Sequence, residues 1–286
     1  MGDLGEKISY FRKAKGLTIK ELAEDLCDDS TIYRLEKGKQ LPRLEILSDI
    51  CLKLEIPFKA LFPFDEEVDQ LKKMCREFTY IEDFLSLEIA LEECDKVLEE
   101  LDFTYSRAEF KKFILWHQAI LLHKKEHNAV EALKILTSLV DLKRCVSELD
   151  ISIMNSIGLI HLSTKNIDAA LEIYKDIYPK INNKKVVEDV TLLPRVGYNY
   201  AHSMYTLQSY GDALEIMQEV LYYVETHQLI YLLGEIYHMI GISSTKKGYL
   251  IDAEEAFKNA ILVFTLTKQP QYLAIAEEDL AELINQ

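Results

Sequence analysis

Apolar residues recur along this chain at three- and four-residue steps, which is the spacing of one helix face, and give little support for a sheet. Leu4, Ile8 and Phe11 share a face of a first helix, which Gly16 ends through its tolerance of left-handed geometry. Thr18-Ile19-Lys20-Glu21 then reads as a capping box, with threonine accepting from the backbone at Glu21 and the glutamate returning the bond. The second helix runs through Leu22, Ala23 and Leu26, and Ala23 is small where two helices must cross closely. A turn through Cys27 and Asp28, with Asp28 expected as N-cap, leads to a third helix with Ile32 and Leu35 inward, ended by Lys37-Gly38. Leu41-Pro42 opens a fourth helix whose expected inner face is Leu44, Leu47, Ile50, Cys51 and Leu54, and Pro57 marks the next boundary.

Beyond that boundary the pattern repeats. Gly241, Gly248, Ala253, Phe257 and Ala260 place small residues at a helix crossing and an aromatic one turn later, as an antiparallel helix pair needs. Gly158, Ala170 and Tyr174 repeat the offsets of twelve and four, and so do Ala201, Ala213 and Met217. Fainter copies pair Ala132 with Leu136 and Ala90 with Cys94. The small-residue marker thus falls at 90, 132, 170, 213 and 253, with steps of 42, 38, 43 and 40. Those steps exceed the tetratricopeptide period of about 34. A last helix, 271–286, follows Pro270 and is expected to cap the stack.

Such arrays curve, with the first helix of each pair lining the concave side. Registering the copies puts His117, Asn155, Tyr198 and His238 at equivalent inward positions, with Gln118, Lys124, Arg195, Asn199 and Glu235 nearby. Side-chain amides suit a peptide ligand, because asparagine donates to and accepts from an extended backbone at once. The tyrosines at 198, 200, 205, 210, 222, 223, 231 and 237 either line a pocket or form core with a wet tip. Asp65-Glu66-Glu67 and Glu99-Glu100 read as solvated helix ends.

Composition adds bounds. Apolar residues make up 49% of 286, enough for a sizeable core. No apolar run is long enough to cross a membrane, and residues 1–10 lack a signal-peptide pattern, so a cytoplasmic protein is expected. Five widely spaced cysteines without a CxxC (Cys27, Cys51, Cys75, Cys94 and Cys145) read as reduced thiols, with a redox sensor through Cys94 or Cys145 as the alternative. The net charge of −15 divides unevenly. Residues 1–62 hold 11 Lys/Arg and 11 Asp/Glu, whereas 63–286 hold 22 against 37. Only the first segment is electrostatically suited to approach nucleic acid.

The runs Leu4-Gly5-Glu6-Lys7-Ile8, Arg12-Lys13-Ala14-Lys15-Gly16-Leu17-Thr18, Glu21-Leu22-Ala23 and Ser30-Thr31-Ile32-Tyr33-Arg34-Leu35-Glu36-Lys37-Gly38, then Pro42, resemble the phage-repressor (XRE-type) helix-turn-helix. The resemblance implies a third helix that enters the major groove, read by Asp29, Ser30, Tyr33 and Arg34, with Arg34 suited to a bidentate pair on guanine. Lys20, Lys37, Lys39 and Arg43 are implied phosphate contacts. An Arg12–Glu36 pair inside the domain is implied as well. The chain departs from the family at Ile19, where glutamine is frequent, and at Asp28 and Asp29, two carboxylates where the recognition helix meets the groove.

A helix-turn-helix followed by about five such repeats resembles the PlcR-like quorum-sensing regulators, within the wider group of Gram-positive peptide receptors often called RRNPP. The resemblance implies a homodimer reading a palindromic operator in double-stranded DNA, controlled by a short signalling peptide in the concave groove, with Asn155 and Asn199 holding the peptide backbone. The expectation is therefore an all-α chain: a DNA-binding domain over 1–62, then a right-handed superhelical tetratricopeptide-like array over 63–286, of about five helix pairs and a capping helix. Peptide contacts are expected at Asn155, Asn199, His117, Gln118, Arg195, Tyr198 and His238. The rival is the same fold with repeats that bind a protein partner. No catalytic residue, metal or cofactor is expected: His123-Lys124-Lys125-Glu126-His127 fits a zinc-peptidase spacing but falls at a turn without a third ligand, and no Walker loop, dinucleotide turn or nucleophile elbow occurs.

Overall fold

The computed structural model describes residues 2–56, 66–101, 104–141, 147–183 and 188–285. Pro57, Asp65 and Cys145 lie outside them. All regular structure among the described residues is helical, and no helix there is long and apolar enough to cross a membrane. The chain forms two compact units, 1–77 and 78–286.

The first unit holds α1 (Gly2–Ala14), α2 (Ile19–Ala23), α3 (Asp29–Glu36), α4 (Leu44–Leu54) and most of α5 (Glu66–Tyr80). Ile8, Leu22, Ala23, Ile32, Leu35, Leu47, Ile50, Cys51 and Leu54 close one core. Leu44 does not join it: α4 begins there, and Leu44 is 65% exposed. Thr18 and Glu21 form the reciprocal capping box. Asp28 occupies the N-cap of α3, yet its side chain makes no capping hydrogen bond. The residue that lets α1 meet α3 is Gly5, where a β-carbon would stand 2.2 Å from the Leu35 carbonyl oxygen. Nothing in the periodicity marks that approach, since a glycine leaves a gap in the pattern.

The second unit holds α6 (Phe84–Glu100), then the pairs α7 (Thr104–Lys124) with α8 (Ala129–Leu139), α9 (Glu148–Ser163) with α10 (Ile167–Asn182), α11 (Leu192–Thr206) with α12 (Tyr210–Thr226), and α13 (Leu233–Lys247) with α14 (Leu250–Leu266). α15 (Pro270–Ile284) packs on α14, and Pro270 is its first residue, where a missing N–H costs nothing. The marker alanines at 90, 132, 170, 213 and 253 are all at most 4% exposed, each in the second helix of its repeat. Opposite them, a β-carbon at Gly158 would meet the Tyr174 ring at 2.6 Å, and one at Gly241 would meet the Phe257 ring at 2.6 Å. The glycine–aromatic offset read from sequence is thus a direct contact between partner helices.

A second periodicity accompanies the first. Left-handed residues recur in the turns ahead of α6, α8, α10, α12 and α14, at Glu82, His127, Lys165, Gln208 and Gly248. Only the last is glycine, which is why the final repeat is the most visible in the sequence. α8, α10, α12 and α14 each pack on the helix before and the helix after, α6 packs on α7, and first helices also touch one another, α7 with α9, α9 with α11 and α11 with α13. Such packing makes the first helices the inner layer of the array.

Candidate nucleic-acid interface and ligand groove

In the first unit the chemistry is outside and the structure-holding charge is inside. Arg12 donates from Nε to Glu36 Oε1 (2.5 Å), from Nη2 to Glu36 Oε2 (2.9 Å) and from Nη1 to the Leu17 carbonyl (2.7 Å). Ser9 Oγ donates to the same carboxylate at 3.0 Å. Arginine and serine together hold the Glu36 carboxyl below its ordinary range against the opposing effect of burial. This fork ties α1 to the end of α3 and so orients that helix. Burial also pushes the Cys27 and Cys51 thiols up, which disfavours thiolate chemistry there.

All eight residues expected to contact DNA (Lys20, Asp29, Ser30, Tyr33, Arg34, Lys37, Lys39 and Arg43) are exposed. Asp29, Ser30, Tyr33 and Arg34 lie on α3, opposite its buried Ile32 and Leu35. Arg34 Nη1 donates to Gln40 Oε1 at 3.3 Å, so Gln40 steadies the guanidinium. Sequence reasoning did not single out Gln40, because a polar residue after a helix has no periodic signature.

In the second unit the polar groups lie within the fold. Every buried polar residue described there (His117, Ser152, Asn155, Ser156, Ser203, Ser243 and Ser244) sits on a first helix, α7, α9, α11 or α13. The two asparagines meet: Asn199 Nδ2 donates to Asn155 Oδ1 at 2.9 Å. Asn155 is only 7% exposed, and Asn199 is half-buried, so Asn155 lies beneath and orients its neighbour. The bond occupies one donor of Asn199 and the side-chain oxygen of Asn155, and the Asn199 backbone carbonyl accepts from Ser203 Oγ at 2.8 Å.

The remaining expected contacts are divided. His117 is 1% exposed, with its ring against Phe113 (centroids 4.1 Å) and Trp116 (4.3 Å) and Nδ1 at 3.0 Å from the Phe113 carbonyl. It is part of the inner-layer packing. Trp116 Nε1 beside it donates to Ser156 Oγ at 2.8 Å. Gln118 is half-buried on the same helix. Arg195 Nη2 donates to Asp189 Oδ2 at 2.7 Å, while its enclosed Nε has no hydrogen-bond partner. Glu148 sets this up from α9, accepting from the backbone N–H of Glu188 (3.1 Å) and of Asp189 (3.0 Å). His238 Nε2 lies 2.6 Å from Asp279 Oδ2 of α15.

The tyrosine run separates as well. Tyr200 is core, Tyr205 packs on Tyr210, Tyr223 stacks on His227, and Tyr222 is 73% exposed. Tyr222, Tyr223, Gln218, Glu219, Asn182 and His227 border a cavity of about 500 Å³ formed by α12 and the end of α10, both second helices. Tyr231 instead packs on Tyr80, with ring centroids 4.8 Å apart at 44°, and Tyr198 is half-buried on α11. Burial, with the Glu235 charge adding, pushes the Tyr198 hydroxyl up to about 12. Tyr80 comes from a helix outside the registered inner set, so the repeat pattern could not announce it.

Two rival chemistries fare differently in the geometry. His127 lies past the end of α7 in left-handed backbone, and His123 Nε2 is 2.9 Å from Ser163 Oγ, so the two histidines do not share a helix turn. No group of three or more His, Cys, Asp or Glu among the described residues is placed to hold a metal ion. Cys94 is fully buried, away from solvent oxidants.

The chain matches the model of the RNPP family C-terminal domain over residues 69–282 and a helix-turn-helix model over residues 8–61. No curated protein matches it. Among solved structures it is similar to PlcR of Bacillus thuringiensis in complex with the peptide PapR7 and DNA, at 21% identity and a TM-score of 0.81, covering 96% of this chain and 99% of that one. It is also similar to ComR of S. thermophilus in complex with DNA and its signalling peptide ComS (15% identity, TM-score 0.66, 98% and 99% covered). A third is Rgg2, the SHP pheromone receptor of Streptococcus dysgalactiae (15% identity, TM-score 0.61, 98% and 99% covered).

Proposed function

The chain belongs to the RNPP family, and from that premise we propose that it is a cytoplasmic, homodimeric transcription regulator whose DNA binding is controlled by a short signalling peptide. The single observation that carries the reading is the opposite placement of polar groups in the two units. Reading residues are exposed on a helix held by the Arg12–Glu36 fork, and hydrogen-bonding groups line the inner layer of the repeats. PlcR and ComR, similar in fold, were each solved with DNA and a peptide, which supports assigning one ligand to each unit.

On DNA, Arg34 reads a guanine edge, Tyr33 and Ser30 read its neighbours, and Asp29 accepts from cytosine N4. Lys20, Lys37, Lys39 and Arg43 set register through phosphates, and two copies read a palindrome. In the groove, Asn199 bonds the peptide backbone, Asn155 positions it, and Tyr198, Gln118, Arg195 and His238 border it. The peptide acts on DNA binding only through its preference for one arrangement of the array over another, and a tenfold preference corresponds to about 1.4 kcal/mol, within reach of one or two hydrogen bonds.

Selection of bound sites from random duplex DNA by the purified protein, with and without short peptides from spent medium, tests both halves. An enriched palindrome whose recovery changes with peptide is the expected result. A palindrome indifferent to peptides leaves the regulator and removes the peptide. No enrichment under any condition removes DNA reading, and points to Asp28 and Asp29 as the cause.

A further inference from the structure

The cavity of about 500 Å³ between α12 and the end of α10 belongs to neither site described above, because it lies on second helices whereas the groups assigned to the peptide lie on first helices. Its volume is within the range of roughly 300–1,000 Å³ usual for small-molecule sites. Two of its lining rings, Tyr223 and His227, stack with centroids 3.9 Å apart and planes at 25°, and a third, Tyr222, is 73% exposed. Asn182 and Gln218 add exposed side-chain amides, and Glu219 adds a carboxylate. No lysine or arginine is among the described lining residues.

Each feature selects a ligand chemistry. Aromatic faces favour a planar ring stacked on them. A side-chain amide offers a donor beside an acceptor, which matches adjacent acceptor and donor atoms on one edge of such a ring, as on a purine. His227 Nδ1 lies 2.9 Å from the Tyr223 carbonyl oxygen and donates to it, so Nε2 is the nitrogen left for a ligand. Charge excludes an anion: Glu219 stands in the wall, and residues 63–286 hold 22 Lys/Arg against 37 Asp/Glu. A phosphate group is therefore repelled, and an uncharged base or nucleoside is not.

Behind the cavity, packing leads to the inner layer. The Tyr178 hydroxyl on α10 donates to Glu219 Oε2 on α12 at 2.8 Å. The Tyr178 ring packs on Tyr200 of α11, with centroids 5.6 Å apart. On the same helix, a β-carbon at Gly197 would stand 3.2 Å from the Tyr178 ring and 2.4 Å from Val220. α11 also carries Asn199, which bonds Asn155. A ligand in the cavity thus bears on the spacing of the two helices that flank α11.

We propose that the cavity between α10 and α12 is an effector site for an uncharged purine base or nucleoside, stacked on the aromatic wall of Tyr222, Tyr223 and His227 and held at its edge by Asn182 and Gln218. The site is separate from the peptide groove and stands or falls independently of it.

Equilibrium dialysis of the full-length protein against adenosine, guanosine and their 5′-monophosphates is the test. The expected result is saturable binding of a purine nucleoside, with its monophosphate at least about tenfold weaker. His227→Ala, at an exposed position, lowers nucleoside affinity about tenfold through loss of stacking. Glu219→Gln, which keeps an acceptor for Tyr178, narrows the preference for the nucleoside over its monophosphate. No saturable nucleoside binding, a monophosphate bound as tightly as its nucleoside, or nucleoside affinity unchanged in His227→Ala overturns the site. The wild-type comparison alone decides the point should either variant melt at a lower temperature.

Discussion

The two units bury polar groups for opposite purposes. Among its described residues the helix-turn-helix unit encloses the ion pair Arg12–Glu36, with side chains 9% and 8% exposed, and leaves the eight residues expected at DNA in solvent. The repeat unit encloses uncharged polar side chains along its inner layer and keeps Asn199, Tyr198, Glu235 and His238 half-buried there. A DNA reader meets its target with a convex helix, so its core needs only to hold that helix still. A ligand groove must surround its target, so its binding groups have to be built into the packing. The contrast teaches that a mutation near the ligand acts on stability and binding together, whereas on α3 the two are separable.

Breaking the ion pair is the strongest test of that contrast. Glu36→Ala leaves a guanidinium buried without its counter-charge and is expected to cost on the order of 3–5 kcal/mol of stability, read by urea unfolding of the full chain. The lowered pKa of Glu36 fixes the pH dependence. Its stabilisation is full above the ordinary glutamate range of about 4.3 and is lost as pH falls through the depressed folded value. An acid titration of wild type should therefore converge on the variant at low pH.

Gly158→Ala probes the other unit. The added methyl meets the Tyr174 ring, which is fully buried and donates to the Asn155 carbonyl at 3.3 Å, so it has nowhere to move. A loss of about 1–3 kcal/mol is expected by the same unfolding measurement. Peptide retention should weaken with it, because Asn155 lies on the displaced turn; unchanged retention would sink the claim that packing and binding are joined there.

Arg34→Ala sharpens the comparison from the DNA side. Discrimination at one base position should fall by about 1–3 kcal/mol, with the melting temperature unmoved, in a competition of single-base operator variants. The smallest change concerns the turns. Lys165→Gly relieves left-handed strain of about 1 kcal/mol and should stabilise slightly, less than that figure because glycine also loosens the unfolded chain. A loss of stability would mean that Lys165 contributes more through its side chain than its backbone costs.

Legibility followed the same division. The spacing of small residues at 90, 132, 170, 213 and 253 located all five second helices, since burial against a partner helix demands a small side chain whatever surrounds it. The Thr18–Glu21 cap was legible because it is complete within four residues. Leu44 misled, because a leucine in step with an apolar face is indistinguishable in sequence from one that precedes the packed turns. Asp28 kept the N-cap position without the bond expected of it. His117 was correctly placed on the inner layer, but its enclosure by Phe113 and Trp116 depends on side-chain directions that spacing does not carry.

What the amino-acid sequence determined alone was local and periodic: helices, their caps, the repeat step and the charge division between the two parts of the chain. Each follows from neighbours within a few turns, where 3.6-residue geometry converts order directly into position. Only the tertiary structure decided which groups meet, Asn155 with Asn199, His238 with Asp279, and Tyr80 with Tyr231. Those encounters join residues separated by one repeat or by most of the array, and stacking successive helix pairs supplies distances that no spacing along the chain encodes.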